Sequence, residues 1–141
     1  MSTGAWLPLA LVTALFYGLH NAFSRAASKS LSDEIGAIVV QLTAAVGVFA
    51  FAVATTKPVR IDGRSLGWAM AAGLAVGIAS VLYFSLLRRG TSLSMMGPVV
   101  LVASTLLTAL AGFTAFGEKV SALRLLGLVL SAGGIVLLSR K

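Results

Sequence analysis

The chain has no cysteine, one histidine, three prolines and four carboxylates among its 141 residues. Without cysteine there is no disulfide framework of the kind small secreted domains depend on, no thiol nucleophile and no thiolate metal site. Charged residues make up 11% of the chain, against roughly 25% in an average soluble domain. So few charges cannot cover a globule of this size, which excludes a soluble protein. A disordered chain is excluded by the opposite feature: 58% of the residues are hydrophobic and the mean hydropathy is +1.00, whereas disordered segments are poor in apolar residues. The composition leaves a small polytopic membrane protein.

The scarcity of acids also limits the chemistry. Asp33, Glu34, Asp62 and Glu118 all fall between apolar runs, so no span core carries paired carboxylates. There is no metal-ligand cluster, no Ser-His-Asp set at credible depth, and no phosphate- or dinucleotide-binding glycine loop. Neither catalysis of the soluble type nor a bound cofactor or metal is expected. The net charge of +7, from 11 basic residues, would suggest nucleic-acid binding on a soluble protein. Here the basic residues sit in small groups between apolar runs, as headgroup anchors do, and no nucleic-acid partner is expected.

A helical span needs about 20 largely apolar residues. Five stretches qualify, at about 6–24, 35–55, 66–87, 95–116 and 122–138. The second is closed by Lys57-Pro58, the third by Arg88-Arg89-Gly90 and the fifth by Arg140-Lys141, while Arg124 near the start of the fifth can snorkel. The runs are about twice the length of a barrel strand and do not alternate. The first has no basic segment before it and passes straight into Tyr17 and His20, so it reads as a mature span rather than a cleaved signal. Ser30 to Glu34 supplies capping residues and first-turn acids for the second helix, and Pro58 and Gly63 break the longest loop. The expected fold is an all-α membrane protein, one domain of five transmembrane helices over residues 1–141.

Five crossings would place Arg25, Lys29, Arg88, Arg89, Arg140 and Lys141 on one side, and Lys57, Arg60, Arg64, Lys119 and Arg124 on the other, six against five. The positive-inside rule has almost no asymmetry to act on. Either a weak bias suffices, or copies insert both ways and pair as an antiparallel homodimer; charge alone leaves both open. Five short-looped helices make a thin bundle, barely able to enclose a polar path. Many transporters use two inverted repeats with the substrate between them, and a chain inserted both ways supplies both from one sequence.

The carboxyl-terminal third carries a resemblance. Met96-Gly97-Pro98-Val99-Val100, the run Gly112 to Glu118, Leu125-Leu126-Gly127 and Gly133 to Leu138 resemble the EamA domain of the drug/metabolite transporter superfamily. Tyr17-Gly18 followed by Asn21 is similar to the aromatic-Gly-x-x-Asn stretch common there. The resemblance covers most of the chain in span number and order and is specific in its last ~50 residues. Family members usually carry two such domains, so a single one implies completion by dimerisation. The related small multidrug resistance proteins have four spans and a membrane-embedded glutamate in the first. This chain has no acid before Asp33, which departs from proton-coupled export of cationic drugs. The resemblance implies transport of metabolites, in an integral multi-pass protein expected in a bacterial cytoplasmic (inner) membrane.

Polar residues inside a span face the bundle or a wet cavity. Thr13, Tyr17, His20, Asn21 and Ser24 share one face of the first helix. Gln41 lies in the second, Tyr83 in the third, and Pro98 and Thr105 in the fourth. Tyr17, His20, Asn21, Gln41, Tyr83, Pro98 and Thr105 are the candidate substrate contacts. Each of these side chains is either a pathway group or interhelical glue worth ~0.6 kcal/mol, and Pro98 marks either a broken turn or a simple kink. His20 alone among the core side chains can switch charge near neutral pH. One imidazole without a carboxylate partner is a thin proton relay, so a facilitator or exchanger is expected over a proton-coupled pump. Gly73/Gly77 and Gly127/Ser131, followed by Gly134, mark places where helices can approach closely. Glu118 is expected to complement the amino terminus of the last helix and to pair with Lys119 or another base.

With no embedded acid, the expected solute is neutral, zwitterionic or anionic. The leading expectation is a transporter subunit, with the bilayer and a second copy as partners. A flippase for a lipid-linked sugar and a non-transporting structural subunit are the alternatives.

Overall fold

A computed structural model of the chain describes residues 6–55 and 62–139. The basic anchors Lys57, Arg60, Arg140 and Lys141, and the breaker Pro58, lie outside the described residues. The described chain is all helical: α1 Trp6–Ala27, α2 Asp33–Thr55, α3 Gly63–Arg88, α4 Leu93–Ala115 and α5 Ala122–Ser139. At 1.5 Å per residue, α1 to α4 are each about 33–39 Å long, enough to cross a hydrocarbon core of about 30 Å. Their composition also meets the demands of a span. The 18 residues of α5 are as apolar but reach only about 27 Å.

Local chemistry sets the helix ends. Ser32 opens α2: its Oγ accepts from the Ile35 N–H at 3.3 Å, its carbonyl accepts from the Gly36 N–H at 2.9 Å, and Asp33 and Glu34 fill the first turn. Asp62 opens α3, its carboxylate accepting from the Ser65 N–H and the Ser65 hydroxyl, both at 3.0 Å. These bonds, the backbone one foremost, hold the Asp62 carboxyl below the ordinary aspartate range. Ser121 opens α5, accepting from the Arg124 N–H at 3.3 Å.

Glu118 does not take the role expected of it. Its N–H reaches back to the Gly112 carbonyl at 3.0 Å, and its carboxylate folds over Gly112, where a Cβ would come 3.1 Å from the carboxyl carbon. It closes the end of α4 instead of serving α5, and the cap on α5 is Ser121. The turn that permits this starts with a wide, π-type bond from the Phe116 N–H to the Ala111 carbonyl. It then passes through Gly117 at φ 62°, a left-handed conformation that glycine adopts without strain.

The chain falls into two compact units, residues 1–90 and 91–141. In the first, α2 packs on α3, and α1 touches α3 over a shorter stretch; in the second, α4 packs on α5. Only 6–11% of the spanning windows is buried. The outward Leu, Val, Ile and Phe side chains have lipid as their solvent. What burial the first unit has is concentrated at one end. Ser24 and Ser28 at the close of α1, Gly36 and Ala37 at the opening of α2, and Phe84 and Leu87 at the close of α3 are all buried there. Phe84 is 1% exposed and lies against the α2 backbone at Gly36, where a Cβ would come 2.9 Å from the ring Cζ and closer still to two other ring carbons. Two polar ties add to this end: the Arg25 guanidinium donates to the Leu87 carbonyl, and Arg88 pairs with Asp33 at 3.2 Å. A Cβ added at Gly73 or Gly77 of α3, by contrast, would meet nothing within 4 Å.

Candidate functional site

Above the packed end, α1, α2 and α3 diverge enough to leave a cavity of about 330 Å³. Thr13, Phe16, Tyr17 and His20 line it from α1, Val40, Gln41 and Ala44 from α2, and Val76 and Ser80 from α3. The α1 contribution follows from helical spacing, since 13, 16, 17 and 20 recur at intervals of three and four and share one face. Small Ala44 on α2 leaves the space that a larger side chain would fill.

A second cavity of about 390 Å³ lies between α1 and α2 and shares Phe16, His20, Val40 and Ala44 with the first. Phe23, Ser24, Ala27 and Thr43 complete its lining. The His20 ring stacks on Tyr83 of α3, with centroids 6.4 Å apart and planes at 28°, which fixes the imidazole against the third helix.

The hydrogen bonds assign directions to this polar set. The Thr13 hydroxyl donates to the Leu9 carbonyl and the Ser80 hydroxyl to the Val76 carbonyl, each at 2.8 Å. Their protons are thus used within their own helices, and both face the cavity as acceptors only. For Thr13 the nearer i−4 carbonyl, rather than a neighbouring helix, takes the proton. Tyr17, His20 and Gln41 supply the donors. Two hydroxyls beside these cavities, Ser24 Oγ and Tyr83 Oη, are buried without a hydrogen-bond partner. In an apolar setting an unpaired hydroxyl costs about 1–3 kcal/mol.

The candidate residues distribute as follows. Tyr17, His20 and Gln41 line the first cavity, and Tyr83 backs it through the His20 stack. Asn21 is half-buried and does not line it, being turned about 100° from His20 by one helical step. Pro98 and Thr105 belong to the second unit. Pro98 sits inside α4, where its missing N–H leaves the Ser94 carbonyl without an i+4 donor, and the Thr105 hydroxyl donates to Leu101 at 2.8 Å. Val76, Ala44 and Val40 were not anticipated. They are apolar wall residues, and only the way the helices meet distinguishes them from their lipid-facing neighbours.

The cavity is therefore an apolar, aromatic chamber with three donors, several acceptors and no fixed charge, set at mid-helix depth. Its donors and acceptors can exchange hydrogen bonds with a small polar solute. Compared with known families, residues 4–140 match the EamA-like transporter family. No curated protein and no solved structure matches the chain.

Proposed function

The chain belongs to the EamA-like transporter family, and on that premise we propose that it is a subunit of a membrane transporter whose solute site is the cavity among α1, α2 and α3. The observation that carries the proposal is the convergence of Tyr17, His20 and Gln41 with the acceptor oxygens of Thr13 and Ser80 around about 330 Å³ of otherwise apolar space. Mixed donors and acceptors without a carboxylate suit a neutral, zwitterionic or anionic metabolite and disfavour a permanent cation. Alternating access would come from two copies, inserted in opposite senses and rocking against each other. The near-even division of basic residues supports that pairing, as does the glycine pair at Gly73 and Gly77, open on α3 to another helix. With His20 stacked on Tyr83 and no carboxylate in the lining of either cavity, the chain works as a facilitator or exchanger.

The test is counterflow in proteoliposomes of the purified full chain, with panels of amino acids, nucleosides and sugars. Once a solute is found, Gln41→Ala removes one hydrogen-bonding group and should reduce apparent affinity about 2- to 12-fold, with expression and dimer content unchanged. Unaltered transport in both Gln41→Ala and Tyr17→Phe would remove this cavity from the pathway. Flux of lipid-linked sugar with none of soluble metabolites would favour a flippase, for which the apolar α1–α2 cavity with Phe16 and Phe23 provides an acyl-chain slot. Absence of any flux would leave a structural subunit.

A further inference from the structure

A third cavity, of about 280 Å³, lies at the packed end of the first unit, away from the solute site. Arg25, Ser28, Lys29, Leu87, Arg88 and Gly90 line it. Three of the six are cations, brought together because α1 and α3 both finish on this side. Basic residues at helix carboxyl ends ordinarily answer the negative end of the helix dipole. Here most of the terminal carbonyls have other donors. Ser24 O accepts from the Ser28 N–H at 2.9 Å, Arg25 O from the Ser28 hydroxyl at 3.0 Å, and Ala27 O from the Ser30 and Leu31 N–H groups, both at 3.1 Å. On α3, Ser85 O accepts from the Arg89 N–H at 3.1 Å, and Leu87 O from the Gly90 N–H at 3.3 Å as well as from Arg25.

The cationic heads are correspondingly underused. Arg25 and Arg88 each commit one nitrogen, to the Leu87 carbonyl and to Asp33, out of five N–H donors apiece. The Lys29 N–H donates to the Ala26 carbonyl at 3.5 Å, but its ammonium has no hydrogen-bond or ion-pair partner among the described residues. Three positive charges meet one carboxylate, around a space walled by the fully buried Leu87 and the buried Ser28. Two guanidinium forks and a point-charge ammonium match the oxygens of a tetrahedral anion. The last turns of α1 and α3 also stand where a span meets the headgroups.

We propose that this cavity is a binding site for a phosphate-type oxyanion, independent of the solute cavity, with Arg25, Lys29 and Arg88 as its ligands. At this depth the oxyanion is presented by an anionic phospholipid headgroup or arrives as free phosphate.

The test uses the purified full chain in nanodiscs of phosphatidylcholine doped with phosphatidylglycerol, with retained lipid measured by native mass spectrometry. The wild type should retain phosphatidylglycerol selectively. Lys29→Gln should weaken that retention about fivefold, the worth of one basic residue near an anionic surface. Lys29→Arg should keep it, as should Lys119→Gln, which removes a base from the second unit. Displacement of the lipid by millimolar inorganic phosphate would assign the site to the free anion, and persistence against it to the headgroup; both support the site. Equal retention of phosphatidylcholine and phosphatidylglycerol by the wild type would overturn the proposal. So would equal losses in Lys29→Gln and Lys119→Gln, or a loss in Lys29→Arg as large as in Lys29→Gln. Because the readout is lipid retention, failure here does not touch the transport reading, and failure of transport does not touch this site.

Discussion

Gly36→Ala is the smallest change that probes how the first unit is held together. On helix propensity alone, alanine in place of glycine inside α2 should stabilise by up to about 1 kcal/mol. The added methyl would sit within 2.9 Å of the Phe84 Cζ and closer to two other carbons of the ring, well inside normal contact. Phe84 is 1% exposed and cannot swing away freely. Overpacking of this sort costs about 1–3 kcal/mol, so the net change is a loss of about 0–2 kcal/mol. Gly47→Ala is the internal reference, since it lies on the same helix with nothing within 4 Å of its Cβ position. Denaturant titration of the full chain in mixed micelles should place Gly36→Ala below Gly47→Ala by about 1–3 kcal/mol. Adding Phe84→Leu to Gly36→Ala should restore part of the difference, giving a coupling energy of about 0.5–3 kcal/mol. If the two alanine variants unfold at the same denaturant concentration, the α2–α3 contact does not hold the unit as described.

Tyr83→Phe removes a buried hydroxyl that has no partner, so in solute-free protein it should raise stability by about 1 kcal/mol; a loss of stability in the same micelle titration would show that the hydroxyl is already bonded. The Asp62 carboxyl is held below its ordinary range by Ser65, so its contribution to the start of α3 is fully present above the unfolded-state value and is lost as pH falls through the folded one. The Ser65 amide NMR signal should therefore titrate with a midpoint below that of an unstructured aspartate and should stop titrating in Asp62→Asn; a midpoint at or above the ordinary value refutes the cap. Reporter fusions at the carboxyl terminus, at native expression, should give signal on both sides of the membrane, and one clean orientation would remove the antiparallel pairing.

The helices were legible because the bilayer sets their length. A run of about 20 apolar residues closed by bases has few structural alternatives, and Ser32 advertises its cap by the acids that follow it. On α1, the spacing of Tyr17 and His20 was enough to place both on one face. Asn21 illustrates the limit of that reading: it belongs to the same broad polar arc, yet one residue step carries it off the cavity wall. What α2 and α3 contribute depends on the axial register between helices, which is decided by contacts such as Gly36 on Phe84 and leaves no periodic trace in the sequence. Glu118 shows a different limit. A charge next to a turn serves whichever helix end the turn geometry brings nearer, and the wide bond at Phe116 with the left-handed Gly117 turned it back to α4. The cation cavity was invisible for a related reason, since Arg25 and Arg88 are 63 positions apart in the chain and each alone looks like an ordinary anchor.

The concentration of buried residues at one end of α1, α2 and α3 makes that end a fulcrum. From Gly36 to the end of α2 at Thr55 the helix extends about 28 Å, and its side chains from Leu42 to Thr55 are exposed. A tilt of about 5° at the Gly36–Phe84 contact, too small to break it, would move the far end by about 2.5 Å, close to the width of a water molecule. Gln41, the polar group that α2 gives to the cavity, lies partway along this arm and would move by less than the tip. A lever of this form would convert sub-ångström adjustments among a few tightly seated side chains into a displacement of ångströms at its far end.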